Sequence, residues 1–264
     1  MSNQQMDKGP ILSVKGLQKE FGAIIAAANI NIDVHEGEII GIIGANGAGK
    51  TTFVNMVTGY LKPTSGEIDF EGMKLVGLPS REVTNAGISR SFQVSQVFIT
   101  MTVYENLLTA LAIAESPGLA MLKPMHRTEL ERRCDEIIER YQITAYRDHV
   151  ARALPQGVRK LLDIAMAVVS KPRILLLDEP TSGVSAEEKF GIMDIVMNAL
   201  KADNVTVLFI EHDMEIVERY VSRVIAFYQG QIICDEPPEQ ALVDPKVREF
   251  VIGHSVVKGT KKNA

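Results

Sequence analysis

One stretch constrains this chain more than any other: Gly44-Ala45-Asn46-Gly47-Ala48-Gly49-Lys50-Thr51-Thr52. It follows the apolar run Glu38-Ile39-Ile40-Gly41-Ile42-Ile43, which reads as a buried strand. Phe53, Val54, Met56 and Val57 come after it, spaced as on a helix packed against a sheet. Strand, glycine-rich loop and helix are the context that makes a G-x-x-x-x-G-K-[ST] match a P-loop, and a chance match is on the order of one percent at average residue usage. Glycines permit the turns that aim successive N–H groups at a phosphate, and the helix N-terminus adds its positive dipole end. Binding of a nucleoside triphosphate is therefore expected, with Asn46, Gly47, Ala48, Gly49, Lys50, Thr51 and Thr52 around the phosphates. Lys50 is expected to reach the β- and γ-phosphates, and Thr51 to offer a hydroxyl to Mg²⁺.

At 264 residues the chain has room for one large domain or two small ones. A net charge of −5 weighs against a nucleic-acid partner, because domains of that kind carry a basic excess. Cys134 and Cys234 lie far apart without metal-ligand spacing and read as idle thiols in a reducing cytosol. The polar start, Met1 to Lys8, is not a signal peptide, and no apolar run approaches the roughly 18 residues of a spanning helix. A soluble protein that docks on a membrane partner fits these features.

Strands are expected at Ile11–Leu17 and Ile24–Val34, as a small antiparallel sheet ahead of the P-loop strand. Pro63-Thr64-Ser65-Gly66 signals a turn before the alternating strand Glu67–Phe70. A helix opens near Leu78-Pro79-Ser80 with Ser80 as its cap, and Ile88–Phe92 is a strand leading to Gln93. From Thr102 to about Thr144 no strand intervenes: a capping box at Thr102-Val103-Tyr104-Glu105, a proline-containing break from Ser116 to Pro124, and a charge-laced helix from Thr128 to Tyr141. This is a helical insertion in an α/β protein. A helix over Val158–Val169 leads to the apolar strand Ile174–Leu177, and a helix over Ser185–Lys201 to a second at Val205–Ile210. In the latter helix Phe190, Met193, Met197 and Leu200 share a face. Continuous apolar strands are what a parallel sheet covered on both faces requires. Val224–Tyr228 and Gln231–Cys234 form a hairpin about Gln229-Gly230, and two short helices near Pro238–Val243 and Pro245–Ile252 precede a lysine-bearing tail.

Asp178 and Glu179 end the Ile174–Leu177 strand. An acid at that place can hold Mg²⁺, and a second beside it can take a proton from attacking water. Asp178 is assigned to the metal and Glu179 to the base. His212, after the strand ending at Ile210, can reach a γ-phosphate from the carboxyl end of the sheet. Gln93, just past another strand, can orient water or complete the metal shell.

In order along the chain, Gly44–Thr52, Gln93, a Leu-x-x-Gly motif before a helix, Leu175-Leu176-Leu177-Asp178-Glu179-Pro180-Thr181 and His212 resemble the ATPase subunits of ABC transporters, from about Ile11 to Gly253. Ser91-Phe92-Gln93, Met101–Leu107, Ile210–Met214 and Asp244-Pro245-Lys246-Val247 resemble the branch serving branched-chain amino acid importers, whose relatives handle urea, amides or aromatic acids. The resemblance implies an α/β P-loop fold of ABC type: a mainly parallel core sheet, an N-terminal antiparallel β-subdomain and a helical subdomain at about 97–169. One ATPase domain would run over 1–253, with a flexible tail at 254–264. It further implies ATP and Mg²⁺ as ligands, and a head-to-tail dimer with an identical or different second subunit. Each ATP would lie between one P-loop and the partner's signature motif, and residues from Val97 to about Tyr146 would meet a membrane permease at the inner face of the membrane. Phe21 matches the ring placed against adenine. Gln93 matches the residue linking metal and water, and His212 the γ-phosphate switch histidine.

Two departures stand out. The usual signature Leu-Ser-Gly-Gly-Gln is here Leu154-Pro155-Gln156-Gly157-Val158, so proline removes a hydroxyl and an N–H, leaving Leu154, Gly157 and the helix N-terminus for the nucleotide. Ser182-Gly183-Val184-Ser185 lacks the aspartate common after the second acidic motif.

Overall fold

The computed structural model describes residues 9–91, 96–115 and 127–253. Gln93, the break from Ser116 to Pro124 and the tail at 254–264 lie outside the described residues. The chain divides into two compact units, Met1–Asn85 with Glu211–Ala264, and Ala86–Ile210.

In the first unit β1 (Leu12–Phe21) pairs antiparallel with β2 (Ile24–Val34), the expected hairpin with β1 running on to Phe21. Then come β3 (Ile39–Gly44) and α1 (Lys50–Val57), whose Phe53 packs against Phe227 with ring centroids 5.6 Å apart. The expected turn at Pro63–Gly66 is shorter than its composition suggests: Ser65 already pairs with Gln18, so β4 spans Ser65–Phe70. With β5 (Met73–Lys74) this completes an antiparallel sheet of order β2-β1-β4-β5. Ser80 is not the cap of α2 (Ser80–Ala86); it is the first helical residue, and the Pro79 carbonyl accepts from the N–H groups of Glu82 and Val83.

The second unit opens with β6 (Ile88–Ser91) and α3 (Val103–Glu115). The capping box forms as expected: the Thr102 N–H donates to Glu105 Oε2 at 2.8 Å, and the Glu105 N–H to Thr102 Oγ1 at 3.1 Å. α4 (Thr128–Arg140) buries Leu130, Cys134 and Ile138, and α3 buries Leu107, Leu108 and Leu111. α5 (Gln156–Val168) precedes β7 (Ile174–Asp178). α6 spans Lys189–Ala202 and starts later than Ser185, because the Ser185 carbonyl accepts from Glu188 and Lys189 and its hydroxyl donates to the Glu188 carboxylate, closing a separate turn. Met193, Met197 and Leu200 face the core, while Phe190 is only half-buried. β8 (Thr206–Ile210) pairs parallel with β7, and β7 with β6, in the order β8-β7-β6. β7 and β8 are buried at every position, as the apolar runs Ile174–Leu177 and Val207–Ile210 within them require.

The chain returns to the first unit through α7 (Met214–Tyr220). β9 (Arg223–Tyr228) runs parallel to β3, and β10 (Gln231–Glu236) antiparallel to β9. Gln229 and Gly230, at φ 46° and 78°, make the hairpin turn between them with both residues left-handed. α8 (Pro238–Ala241), α9 (Pro245–Val247) and a π-helical turn over Arg248–Ile252 close the fold, contributing Ala241 and Val247 to a core with Ile43, Val217, Val224 and Ala226.

Candidate nucleotide site

The phosphate-binding loop is built by backbone. Gly49 caps α1 with φ 106°, and a β-carbon there would lie 2.7 Å from the Ala26 carbonyl oxygen, so only glycine fits the position. The β9–β10 turn braces the loop: the Gly230 N–H donates to the Ala48 carbonyl at 2.9 Å, and the Ala28 N–H to the Gly230 carbonyl at 2.8 Å. The first bond within α1 runs from the Phe53 N–H to the Gly49 carbonyl, 2.9 Å. The N–H groups of Lys50, Thr51 and Thr52 therefore belong to the opening turn that a helix cannot satisfy from within, which is the anion-binding end of any helix. Lys50 is buried, and its Nζ donates to the carbonyls of Gly44 at 2.6 Å and Ala45 at 3.1 Å. The ammonium is thus held along the loop's inner curve.

Two further expected residues belong to this first unit. Phe21, at the end of β1, is 50% exposed, with Lys19 Nζ 5.0 Å from its ring centroid. That exposure rules out a core phenylalanine and leaves an open face for stacking. His212 is exposed on a braced backbone. The buried carboxylate of Glu211 accepts the His212 N–H at 3.1 Å, and Asp213 caps α7 by accepting the Glu215 N–H at 3.0 Å.

The second unit holds the acidic pair. Asp178 is buried at the carboxyl end of β7, and its Oδ2 accepts from an Arg90 guanidinium nitrogen at 2.6 Å. Arg90 stands opposite Leu176 in the β6–β7 register, and its side chain is 7% exposed. Glu179 is half-buried and left-handed, with φ 48°. Its N–H donates to the Ile210 carbonyl at 3.0 Å, and its carbonyl accepts from Ser182 at 3.0 Å. A non-glycine residue held in that conformation costs on the order of 1–3 kcal/mol, a strain that concentrates at functional positions.

The signature segment also lies in the second unit. Pro155 stands at the N-cap of α5 and makes no side-chain cap, and Leu154 is buried. A β-carbon on Gly157 would come 2.4 Å from Ile192 Cδ1, so the end of that side chain on α6 would have to move aside for any larger residue there. Arg159 donates to the carbonyls of Arg152 at 3.1 Å and Leu154 at 3.3 Å, bracing the turn before the helix.

Sequence reasoning gave no role to Arg90, Ser91, Asp163 or Glu211, Ser91 and Glu211 entering only as members of branch motifs. The available signal was charge inside buried elements: Arg90 in a four-residue strand, and Asp163 in the apolar run Leu161–Ala165, both of which need a partner.

The family model described as "ABC transporter" matches residues 27–182. The chain belongs to that family. Within it the chain is 35% identical over 252 residues to the high-affinity branched-chain amino acid transport ATP-binding protein BraF of Pseudomonas aeruginosa, covering 93% of this chain and 99% of the relative. Among solved structures, an ATP-binding cassette of an ABC transporter in its ADP conformation aligns with a TM-score of 0.79 at 33% identity, over 91% of this chain and 97% of that one. A dimeric cassette in a post-hydrolysis state, bound to ADP and Pi, aligns with a TM-score of 0.73 at 26% identity, over 86% and 98%. The fold is that of an ABC cassette, and the chain is an ABC ATPase.

Among the described residues no cluster of three or more His, Cys, Asp or Glu could hold a metal on its own, and no helix is long and apolar enough to cross a membrane. Each unit by itself offers an oxygen donor of the kind Mg²⁺ takes, the Thr51 hydroxyl in the first and the Asp178 carboxylate in the second, since that ion needs only one or two protein oxygens and completes its shell with water and phosphate.

Proposed function

We propose that this ABC ATPase powers an importer of branched-chain or other hydrophobic amino acids, at the inner face of a membrane and against permease subunits met by residues between Val97 and about Tyr146. The observation that carries the reading is an intact phosphate loop and an intact Asp178-Glu179 pair in one chain 35% identical to BraF along almost its whole length. Asn46 to Thr52 hold the triphosphate, with the Lys50 ammonium on the β- and γ-phosphates, and Phe21 stacks on the adenine. Thr51, Asp178 and Gln93 would hold Mg²⁺, which would neutralise charge on the phosphates. Glu179 takes the proton of the attacking water, and His212 faces the γ-phosphate. Leu154, Gly157 and the N-terminus of α5 serve the ATP bound by a second cassette.

Pro155 makes that last contribution the weak one. Losing a hydrogen bond to a charged group costs roughly 1.5–3 kcal/mol, a factor of about ten to a hundred. The cassette therefore works in a heterodimer whose partner has an intact signature, and its own P-loop site is the stronger of the two. The test is steady-state ATPase activity of the purified chain, alone and mixed with candidate partner cassette and permease. Weak activity alone that rises in the mixture is expected. A homodimer hydrolysing ATP at the full rate of the mixture would refute the asymmetric assembly, and inactivity in every combination would refute the energising role.

A further inference from the structure

Asp163 lies mid-helix in α5, within Leu161-Leu162-Asp163-Ile164-Ala165, and is 5% exposed. Burial pushes its carboxyl above the usual carboxylate range, partly countered by its hydrogen bonds and by Lys160. A buried carboxylate is a poor way to stabilise a helix, since an apolar side chain of similar volume would serve as well or better. Neither does it cap the helix, which begins a full seven positions earlier at Gln156. What distinguishes Asp163 is where its two oxygens point. Oδ2 accepts from the Ser91 hydroxyl, and Oδ1 from the Gln96 backbone N–H at 2.7 Å. Ser91 is the last residue of β6, and Gln96 the first described residue after it. One carboxylate therefore bonds both Ser91 and Gln96, the described residues on either side of Gln93 in sequence. Lys160, one turn earlier on the same side of α5, donates to the Asp178 carbonyl at 3.5 Å.

We infer that Asp163 is a positioning residue for ATP hydrolysis, tying the helix that starts at the signature segment to the two flanks of the Gln93 stretch. The inference rests on the hydrolytic reading above. α5 begins where a partner's nucleotide would be met, and this one side chain joins it to Ser91 and to the backbone of Gln96. Asp163 acts through the backbone at Gln96 and the hydroxyl of Ser91. Asparagine at 163 keeps the size and one acceptor oxygen, but its other terminal group is a neutral NH₂ that can only donate, so the charge-assisted bond from the Ser91 hydroxyl is lost and at most a weaker neutral bond of reversed direction replaces it.

The experiment compares the full chain with Asp163→Asn, Ser91→Ala and Ser91→Thr, measuring kcat, KM for ATP, affinity for a fluorescent ATP analogue, and thermal midpoint. Asp163→Asn and Ser91→Ala should each lower kcat about tenfold, the worth of one charge-assisted hydrogen bond. Analogue affinity should stay within about twofold, and the thermal midpoint should hold or rise once the buried charge is gone. Ser91→Thr, which keeps the hydroxyl, should retain kcat. The double variant should lose no more than the worse single one, because both remove the same bond. An Asp163→Asn protein with wild-type kcat would overturn the inference while leaving the hydrolytic reading intact. For Asp163→Asn, which removes the buried charge rather than stranding it, a thermal midpoint falling in step with kcat would also overturn it, showing a merely structural role; Ser91→Ala, which strands the carboxylate, is read by kcat at matched folded fraction. A wild-type chain that binds the analogue and never hydrolyses ATP, even with partner and permease, would overturn both.

Discussion

The two units hold their charged groups in place by opposite means. In the first, the glycine-rich loop and its lysine are held by backbone: glycine conformations, the opening turn of α1 and the carbonyls that accept from Lys50. In the second, the acids are held by side chains buried with them, Arg90 on Asp178 and Ser91 on Asp163. Backbone placement separates fold from chemistry, because a loop side chain can be removed without stranding a buried charge. Side-chain placement joins the two, since removing one partner leaves the other charged and alone in the core.

The difference is broken most forcefully at Arg90. Arg90→Met should strand the Asp178 carboxylate and cost about 3–5 kcal/mol, read as a lowered denaturation midpoint. Asp178→Asn in the same background should recover part of that loss, because the uncompensated charge is gone. Lys50→Ala is the counterpart in the first unit. ATP affinity should fall by up to about a hundredfold, measured calorimetrically, with the denaturation midpoint nearly unchanged. Equal stability losses in the two variants would erase the distinction.

Gly157→Ala probes the signature helix between these extremes. Its new methyl meets Ile192 Cδ1 and should cost about 1–3 kcal/mol by overpacking. Ile192→Val, which lacks that atom, should restore most of the loss in the double variant. The smallest effect concerns a group far from any chemistry. Burial pushes the Cys134 thiol from 9.0 up to about 12. The unfolded chain loses this proton first, so the thiol's contribution to stability is whole below the unfolded value and shrinks as pH rises toward the folded one. Between roughly pH 9 and 11, urea midpoints should fall more steeply for the wild type than for Cys134→Val, and iodoacetamide should label Cys134 only as the protein unfolds.

The same contrast explains what could be read from the amino-acid order. Backbone-built features announce themselves locally: glycine spacing marks the P-loop, Thr102 and Glu105 their capping box, and Gln229-Gly230 its hairpin. The unbroken Ile174–Leu177 and Val207–Ile210 runs likewise declare buried parallel strands. Pairs formed across long separations leave no such mark. Nothing near Arg90 points to Asp178, nor anything near Ser91 to Asp163, because each partner is chosen by sheet register and helix packing. Element ends were also misread where a side chain or proline competes locally with the helix, as at Ser185 and Pro79. Gly157 was legible as part of a motif, while its packing against Ile192 was not.

The central claim, that Glu179 on its strained turn is the base of an ATP-hydrolysing site, is tested most directly with Glu179→Gln. Loss of a general base should lower the ATPase rate roughly 10²- to 10⁴-fold, while ATP binding persists and an ATP-bound dimer with the partner cassette accumulates on size-exclusion chromatography. Hydrolysis in the variant at the wild-type rate would contradict the account.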